Sequence, residues 1–164
     1  MVDEKKVNRV VEARNGFELP LLLFAGFRSI IDALHRDLAE HGHPETRPAY
    51  GFALQAVGPD GAAIGEIGRR LGVSKQAAGK TVDKLETLGY VERAPDPADG
   101  RRTLIRLTPH GVDLLTRSAE GFDRQRAEWA RTLGEDRLNA LERDLRTMAP
   151  GGAFRLDAAG WFTG

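Results

Sequence analysis

Between Leu71 and Leu85 the chain reads Leu-Gly-Val-Ser-Lys-Gln-Ala-Ala-Gly-Lys-Thr-Val-Asp-Lys-Leu, and two residues in it leave the backbone little freedom. Gly72 is suited to ending one helix, because glycine enters the left-handed C-terminal conformation without a steric penalty, and Ser74 is suited to capping the next through its hydroxyl. Helices joined by so short a link form a tight helix-turn-helix. In the second helix Ala78, Val82, Leu85 and Leu88 recur at steps of four, three and three, so they form one buried stripe. Gln76, Gly79, Lys80 and Asp83 fall on the opposite face. An amide and an ammonium one turn apart there fit a base edge and a phosphate. Gly79 removes the side chain that would keep two backbones apart, at a cost to the helix of about 1 kcal/mol relative to alanine.

The residues beyond this helix sharpen the reading. Gly89 closes it, and Tyr90-Val91-Glu92-Arg93 and Thr103-Leu104-Ile105-Arg106-Leu107 read as two short strands around Pro95-Asp96-Pro97-Ala98-Asp99-Gly100-Arg101-Arg102. Asp99-Gly100 is a hairpin signal, since primed turns need positive φ. The tip is stiffened by two prolines and ends in two arginines. A stiff basic finger beside such a helix is a wing, long enough to reach a neighbouring minor groove, where narrow A/T-rich DNA attracts arginine.

These residues together resemble the MarR-type winged-helix transcriptional regulators. The resemblance is carried by Gly-Val-Ser-Lys-Gln-Ala-Ala, by Val82-Asp83-Lys84-Leu85-Glu86 with Leu88-Gly89-Tyr90-Val91-Glu92-Arg93, by Asp96-Pro97-Ala98-Asp99-Gly100-Arg101 and by Leu107-Thr108-Pro109-His110-Gly111. It is specific from about Arg47 to Gly111, and the flanking helices fit in length and order. Asp99-x-Arg101 matches the family's Asp-x-Arg wing motif, which implies an arginine in the minor groove and an aspartate that helps hold the wing; Arg102 has no family role. The expected DNA contacts are Ser74, Lys75, Gln76, Gly79, Lys80, Lys84, Asp99, Arg101 and Arg102.

The chain has 164 residues and no net charge, with 24 basic against 24 acidic residues, which by itself argues against a nucleic-acid partner. Distribution outweighs the sum. Between Arg69 and Arg106 stand Arg69, Arg70, Lys75, Lys80, Lys84, Arg93, Arg101, Arg102 and Arg106 against Asp83, Glu86, Glu92, Asp96 and Asp99. That local excess, balanced by an acidic remainder, would draw DNA to one face. With no cysteine, disulfides, thiolate metal sites and thiol redox sensing are excluded. The apolar run from Leu19 to Phe27 contains Pro20 and is far shorter than the ~20 residues of a membrane span; it lacks the marks of a signal peptide, so a cytoplasmic protein with no membrane partner is expected.

The expected class is mainly α with a small β-wing: a winged helix-turn-helix flanked by N- and C-terminal dimerisation helices. Residues 1–45 would be an N-terminal arm and helix, 46–108 the DNA-binding lobe, 109–148 the C-terminal dimerisation helices and 149–164 a glycine-rich tail, disordered by default, whose Trp161 and Phe162 leave a docked conformation open. In the arm, Asn15-Gly16 is expected to break any helix, and the next to begin near Pro20 and run to about Glu40 with Phe24, Phe27, Ile31, Leu34 and Leu38 on its buried side. A second helix carries Tyr50, Leu54 and Val57, with a Gly58-Pro59-Asp60-Gly61 turn after it. After Thr108 as cap and Pro109 in the first turn, Val112, Leu115, Ala119, Phe122, Arg126, Trp129 and Leu133 keep a strict three-four alternation, a seam that wants a partner helix. Gly134 interrupts it, and Leu138, Leu141, Leu145 and Met148 continue. The seam points to a homodimer, because a two-fold reader of palindromic DNA needs one.

Other motifs are weaker. Gly79-Lys80-Thr81 ends like a phosphate-binding loop, but Ser74 stands where its first glycine should be and a helix, not a strand, precedes it. His41-x-His43 offers two imidazoles with no evident third ligand, so a solvated helix end is the better reading than zinc. No catalytic motif is complete, so neither an enzyme nor a cofactor is expected. The resemblance implies a repressor of pseudo-palindromic operators, released by a small aromatic ligand; Phe24, Phe27, Tyr50 and Trp129 are the candidate lining residues, each also readable as plain core. The alternative is a helical dimer that binds protein through a degenerate winged helix.

Overall fold

The computed structural model describes residues 14–149, and the arm before Arg14 and the tail after Ala149 lie outside the described residues. In chain order the elements are α1 (Arg14–Glu40), α2 (Pro48–Val57), α3 (Ile64–Leu71), α4 (Lys75–Thr87), β1 (Val91–Pro95), β2 (Thr103–Leu107), α5 (Pro109–Leu133) and α6 (Glu135–Met148). Leu38, Leu54, Ile67, Leu85, Ile105 and Leu114, one each from α1, α2, α3, α4, β2 and α5, are fully buried against one another's elements in a single core. Each such side chain contributes about 1.5–3 kcal/mol of burial, so the lobe and the root of the long helices are held as one body.

The helix-turn-helix is built as its residues dictate. Gly72 sits at φ +66°, and the Val73 N–H reaches the Gly68 carbonyl at 2.9 Å, closing α3. The Ser74 hydroxyl accepts from the Ala77 N–H at 3.1 Å. At the other end of α4, Gly89 takes φ +77° while its N–H reaches the Glu86 carbonyl and the Tyr90 N–H reaches that of Leu85, each at 2.9 Å. Within the chain, however, the close crossing belongs to Gly68 and not to Gly79. A Cβ on Gly68 would stand 3.1 Å from the Val73 carbonyl oxygen and 3.4 Å from Ala78 Cβ, whereas one on Gly79 would meet only an Ile64 methyl at 4.0 Å.

Three local expectations are corrected. The first helix does not wait for Pro20: α1 begins at Arg14, runs through Asn15 and Gly16, and carries Pro20 inside it. Pro20 lies in the second turn, where it forfeits one backbone bond near a helix end rather than breaking the ladder midway. β1 extends beyond Arg93 through Pro95, which pairs with Thr103 as Val91 pairs with Leu107; on a two-stranded sheet every strand is an edge and tolerates proline. Gly100 is not among the glycines with positive φ, so the tip is no primed turn. Two linked turns replace it. Asp99 N–H bonds the Asp96 carbonyl at 3.2 Å and Arg102 N–H that of Asp99 at 2.9 Å, while each aspartate side chain accepts from the N–H two residues on, in Ala98 and in Arg101.

A short third pairing, Ala62 with Ile105, braces the wing's root. It explains Gly61, at φ +82°, where a Cβ would lie 2.7 Å from the Ile105 oxygen. On α5 the face turned to the core is Gly111, Leu114 and Gly121, while Val112 and Phe122 of the three-four seam are exposed. Gly121 lets Leu34 of α1 approach, and Gly26 of α1 faces the Trp129 ring.

Candidate nucleic-acid interface

The outer face of α4 presents Lys75, Gln76 and Lys80, all exposed, with Ser74 at its cap and Gly79 half-buried between them. None of the two ammonium groups and the amide has a partner among the described residues, so all are available to a ligand. Several other charges of the lobe are occupied. Lys84 lies 3.2 Å from Glu45 of the α1–α2 loop. Asp83 and Glu86 hold Arg93 of β1 at 2.5 and 3.0 Å, a clamp that ties the strand to the end of α4. Arg70 is bound to Glu66 and to the Ala56 carbonyl. Asp83, which shares the outer side of α4 in sequence, is therefore spent within the chain.

On the wing, Asp99 Oδ1 receives the Arg101 N–H at 3.1 Å, and the Arg101 guanidinium stands exposed with no partner among the described residues. Arg102 has a different part. Its carbonyl receives the Asp96 N–H at 2.9 Å, and its guanidinium lies 3.7 Å from the Asp96 carboxylate. Two aspartates thus shape the loop and one arginine is left outside it. Arg69, exposed and unpaired among the described residues, is a free cation of the same lobe to which sequence reasoning gave no separate role. Gly79-Lys80-Thr81 lies inside α4 behind another helix, which is not the context of a phosphate loop.

A second feature lies at the junction with the long helices. A cavity of about 470 Å³ is walled by Phe27, Ile31 and Leu34 of α1, Phe52 of α2 and Leu115 and Phe122 of α5, with His35, Thr46, Arg47, Gln55 and Ser118 as its polar members. Burial lowers the pKa of His35, opposed in part by Asp32, which favours a neutral ring there. Of the four aromatics singled out from sequence, only Phe27 lines this space. Tyr50 is 8% exposed and belongs to the core on the other side of α2. Phe24 is exposed on α1 beyond the cavity, and Trp129 lies seven residues past Phe122, about 10 Å further along α5. The spacing that put Phe24 and Phe27 on one stripe of α1 and Trp129 on another of α5 could not say how far α2 reaches along either.

His43 is not at a solvated helix end. It is 1% exposed, with Nε2 2.9 Å from Asp113 and Nδ1 3.0 Å from the Tyr90 hydroxyl. His41, exposed, instead bonds the Asp37 carbonyl at 2.7 Å. The hydrogen bond from His43, and next that from Arg117, holds the Asp113 carboxyl below its ordinary range, while burial raises the Tyr90 phenol. No cluster of three or more metal-ligating side chains occurs among the described residues.

The sequence profile of the MarR family matches residues 52–102, the segment from α2 to the wing. An uncharacterized HTH-type transcriptional regulator of Mycobacterium bovis, Mb0904, is 33% identical over 99 residues, covering 59% of this chain; the chain spans 65% of that relative's length. Among solved structures, S. aureus MepR in complex with DNA superposes with a TM-score of 0.61 at 21% identity, covering 77% of this chain and 95% of that one. CouR of Rhodococcus jostii bound to p-coumaroyl-CoA does so with a TM-score of 0.57 at 21% identity, covering 83% and 94%. At those identities the structures speak for the fold. The family and the matched relative are transcriptional regulators, not enzymes. With a capped second helix, a two-aspartate wing and long helices on both sides, the chain has the winged helix-turn-helix fold of the MarR-type proteins, and the segment from α2 to the wing carries the match to that family.

Proposed function

We propose that the protein represses transcription by binding a pseudo-palindromic operator as a homodimer and leaves it when a small aromatic ligand binds. The observation that carries the reading is a set of cations left unpaired, among the described residues, while Arg70, Lys84, Arg93 and Arg102 of the same lobe are tied up: Lys75 and Lys80 on α4 and Arg101 at the wing tip. Ser74, Lys75, Gln76 and Lys80 contact bases and phosphates, and Gly79 lets the DNA backbone come close. Lys84 adds a phosphate contact by exchanging Glu45 for it. Asp99 and Arg102 shape the wing, and Arg101 enters the minor groove. The similarity to MepR in its DNA complex supports this reading.

Dimerisation is supported by the exposed apolar residues of the long helices, Phe17 to Phe24 of α1 and Leu141, Leu145 and Met148 of α6, which a second copy of the chain covers. The ligand is supported by the cavity between α1, α2 and α5, where apolar walls suit a ring and Arg47, without a partner among the described residues, an anionic group. A ligand releases DNA only if it binds better to a protein whose two lobes are wrongly spaced. The test begins with selection of duplexes from a random library by the full-length protein, and continues with fluorescence anisotropy against scrambled DNA at two salt concentrations. An enriched, pseudo-palindromic duplex with binding that survives salt better than the scrambled control is expected, and Arg101→Ala is expected to weaken it and to reduce its preference for A/T flanks. No enrichment, with no binding at low salt, would replace the DNA reading with that of a protein-binding dimer.

A further inference from the structure

The loop between α1 and α2 holds a buried ring that neither the proposed DNA contacts nor the cavity uses. His43 joins two other elements, bonding Asp113 of α5 through Nε2 and the Tyr90 hydroxyl through Nδ1. His110 of α5 stacks on both His43 and Tyr90, with ring centroids 4.6 Å from each. Tyr90 is the residue whose N–H closes α4 on the Leu85 carbonyl, and two residues beyond His43 the same loop sends Glu45 to Lys84 of α4. One loop therefore grips the end of the recognition helix twice and α5 once.

From α5 come Asp113, Arg117, whose Nε bonds the same Asp113 oxygen at 2.8 Å, and His110. Before β1 stands Tyr90; from the loop itself come Glu45 and the Thr46 hydroxyl, and beyond Glu45 lies Lys84 of α4. From α1 the Leu38 carbonyl receives the His43 N–H at 2.9 Å. Asp113 stays anionic and Tyr90 stays protonated across the range between about pH 5 and 8 in which imidazoles change charge. With a neutral ring every polar atom is served: Nε2–H donates to Asp113 and Nδ1 accepts the Tyr90 O–H. A proton on Nδ1 removes that acceptor, so Tyr90 must turn its own proton elsewhere. The carboxylate that faces the new charge is already shared with Arg117, and a second imidazole, His110, lies in the same stack, where like charges oppose each other.

We propose that His43 is a proton-dependent positioning residue for DNA binding: neutral, it fixes the end of α4 against α5 through Tyr90 and Asp113, and charged, with His110 beside it, it releases that end and lowers the affinity for specific DNA. This rests on the DNA-binding reading above. The test uses the full-length protein and the duplex enriched at pH 7.5, with the ratio of affinities for that duplex and for scrambled DNA measured from pH 5.5 to 8 at fixed ionic strength, so that general gain of positive charge cancels. The ratio is expected to fall about tenfold on acidification, within the usual range for two coupled sites. His43→Gln keeps a donor and an acceptor but takes no proton, and should keep the pH 7.5 affinity while flattening the profile; His110→Gln, at an exposed position, should reduce the fall. Hydrogen exchange of the segment 83–92, corrected for the intrinsic effect of pH, reads the same joint without DNA: protection should drop at pH 5.5 in the wild type and not in His43→Gln. A His43→Gln profile as steep as the wild type, or a wild-type ratio that does not move, overturns the proposal. If no duplex is enriched, the DNA reading fails separately, and unchanged exchange at pH 5.5 overturns the joint. If His43→Gln does not fold, His110→Gln decides, and a fall as large as in the wild type refutes the part given to the stack.

Discussion

Gly111 is the position where one methyl group should do most harm. It is the third residue of α5, and a Cβ there would stand 2.1 Å from the Tyr90 carbonyl oxygen, which is backbone and has no rotamer to change. Relief requires about 1 Å of separation between the start of α5 and the turn after α4. That carbonyl accepts the Thr108 N–H at 3.1 Å, and Thr108 in turn caps α5 and donates to the Gly89 carbonyl, so the shift strains the whole junction. Losing the Thr108 bond with its carbonyl left unpaired costs about 1–3 kcal/mol, overpacking adds about 1–3 kcal/mol, and the better helix propensity of alanine returns at most about 1 kcal/mol. Gly111→Ala should therefore destabilise by about 1–5 kcal/mol. Gly51→Ala is the control. It too is inside a helix, but its Cβ would meet nothing within 4 Å, so it should stabilise by up to about 1 kcal/mol. Urea titrations at one fixed protein concentration measure both, since association would otherwise shift the midpoints. A Gly111→Ala midpoint equal to the wild type, at unchanged slope, would show that the junction yields without cost and would refute the reasoning.

The pairing of charges makes two more outcomes testable. Lys80 is free and Lys84 is bound to Glu45, so Lys80→Ala should lower the slope of log affinity against log salt by about one unit for the phosphate it neutralises, while Lys84→Ala should lower it less at equal affinity loss, because its approach to DNA begins by breaking an ion pair; anisotropy across a salt series checks both. The Asp113 carboxyl is held below its ordinary range, first by His43 and then by Arg117, so the stability it contributes is present above the ordinary carboxylate range and lost as the pH falls through and below it. Asp113→Asn should flatten the thermal stability profile in that acidic window, and a profile as steep as the wild type would refute the assignment.

The parts legible in sequence are those with a local cause. Gly72, Ser74, Gly89 and Thr108 set helix ends through their own backbone or hydroxyl, and the structure places all four ends there. Their unpaired neighbours Lys75 and Lys80 were legible for the same reason, since one turn of helix fixes the face. The features that escaped depend on residues distant in sequence. His43 is buried by partners 47 and 70 positions away, Lys84 is diverted by Glu45, and Gly68, Gly111 and Gly121 are needed because of backbone or side chains in other elements. The turn of the wing failed differently. Asp99-Gly100 carries a hairpin signal, but the loop from Asp96 to Arg102 is too long for a two-residue turn, and two aspartate-capped turns satisfy its backbone with Gly100 at no unusual φ.

The surface of α1 decides whether one copy of the chain can keep its long helices folded. Leu19, Leu21, Leu22, Leu23 and Phe24 are all between 46% and 66% exposed, and on a helix such a run points in every direction around the axis. A helix apolar on all sides is stable in water only when surrounded, and one neighbouring helix covers a single face. In the described protomer α5 packs along α1 but leaves these residues open, and the apolar residues Leu145 and Met148 at the far end of α6 are open as well. In the proposed homodimer a second copy would supply helices from both of its ends at once, an interface of the obligate kind that buries about 2,000 Å² or more. Its stability then depends on protomer concentration. The thermal midpoint should rise steadily over a hundredfold range of protein concentration, and Leu22→Asp should lower it and raise the proportion of the 18.0 kDa species in sedimentation. A midpoint independent of concentration, with a folded 18.0 kDa species at micromolar protein, would leave the two-fold reading of a palindrome without its partner.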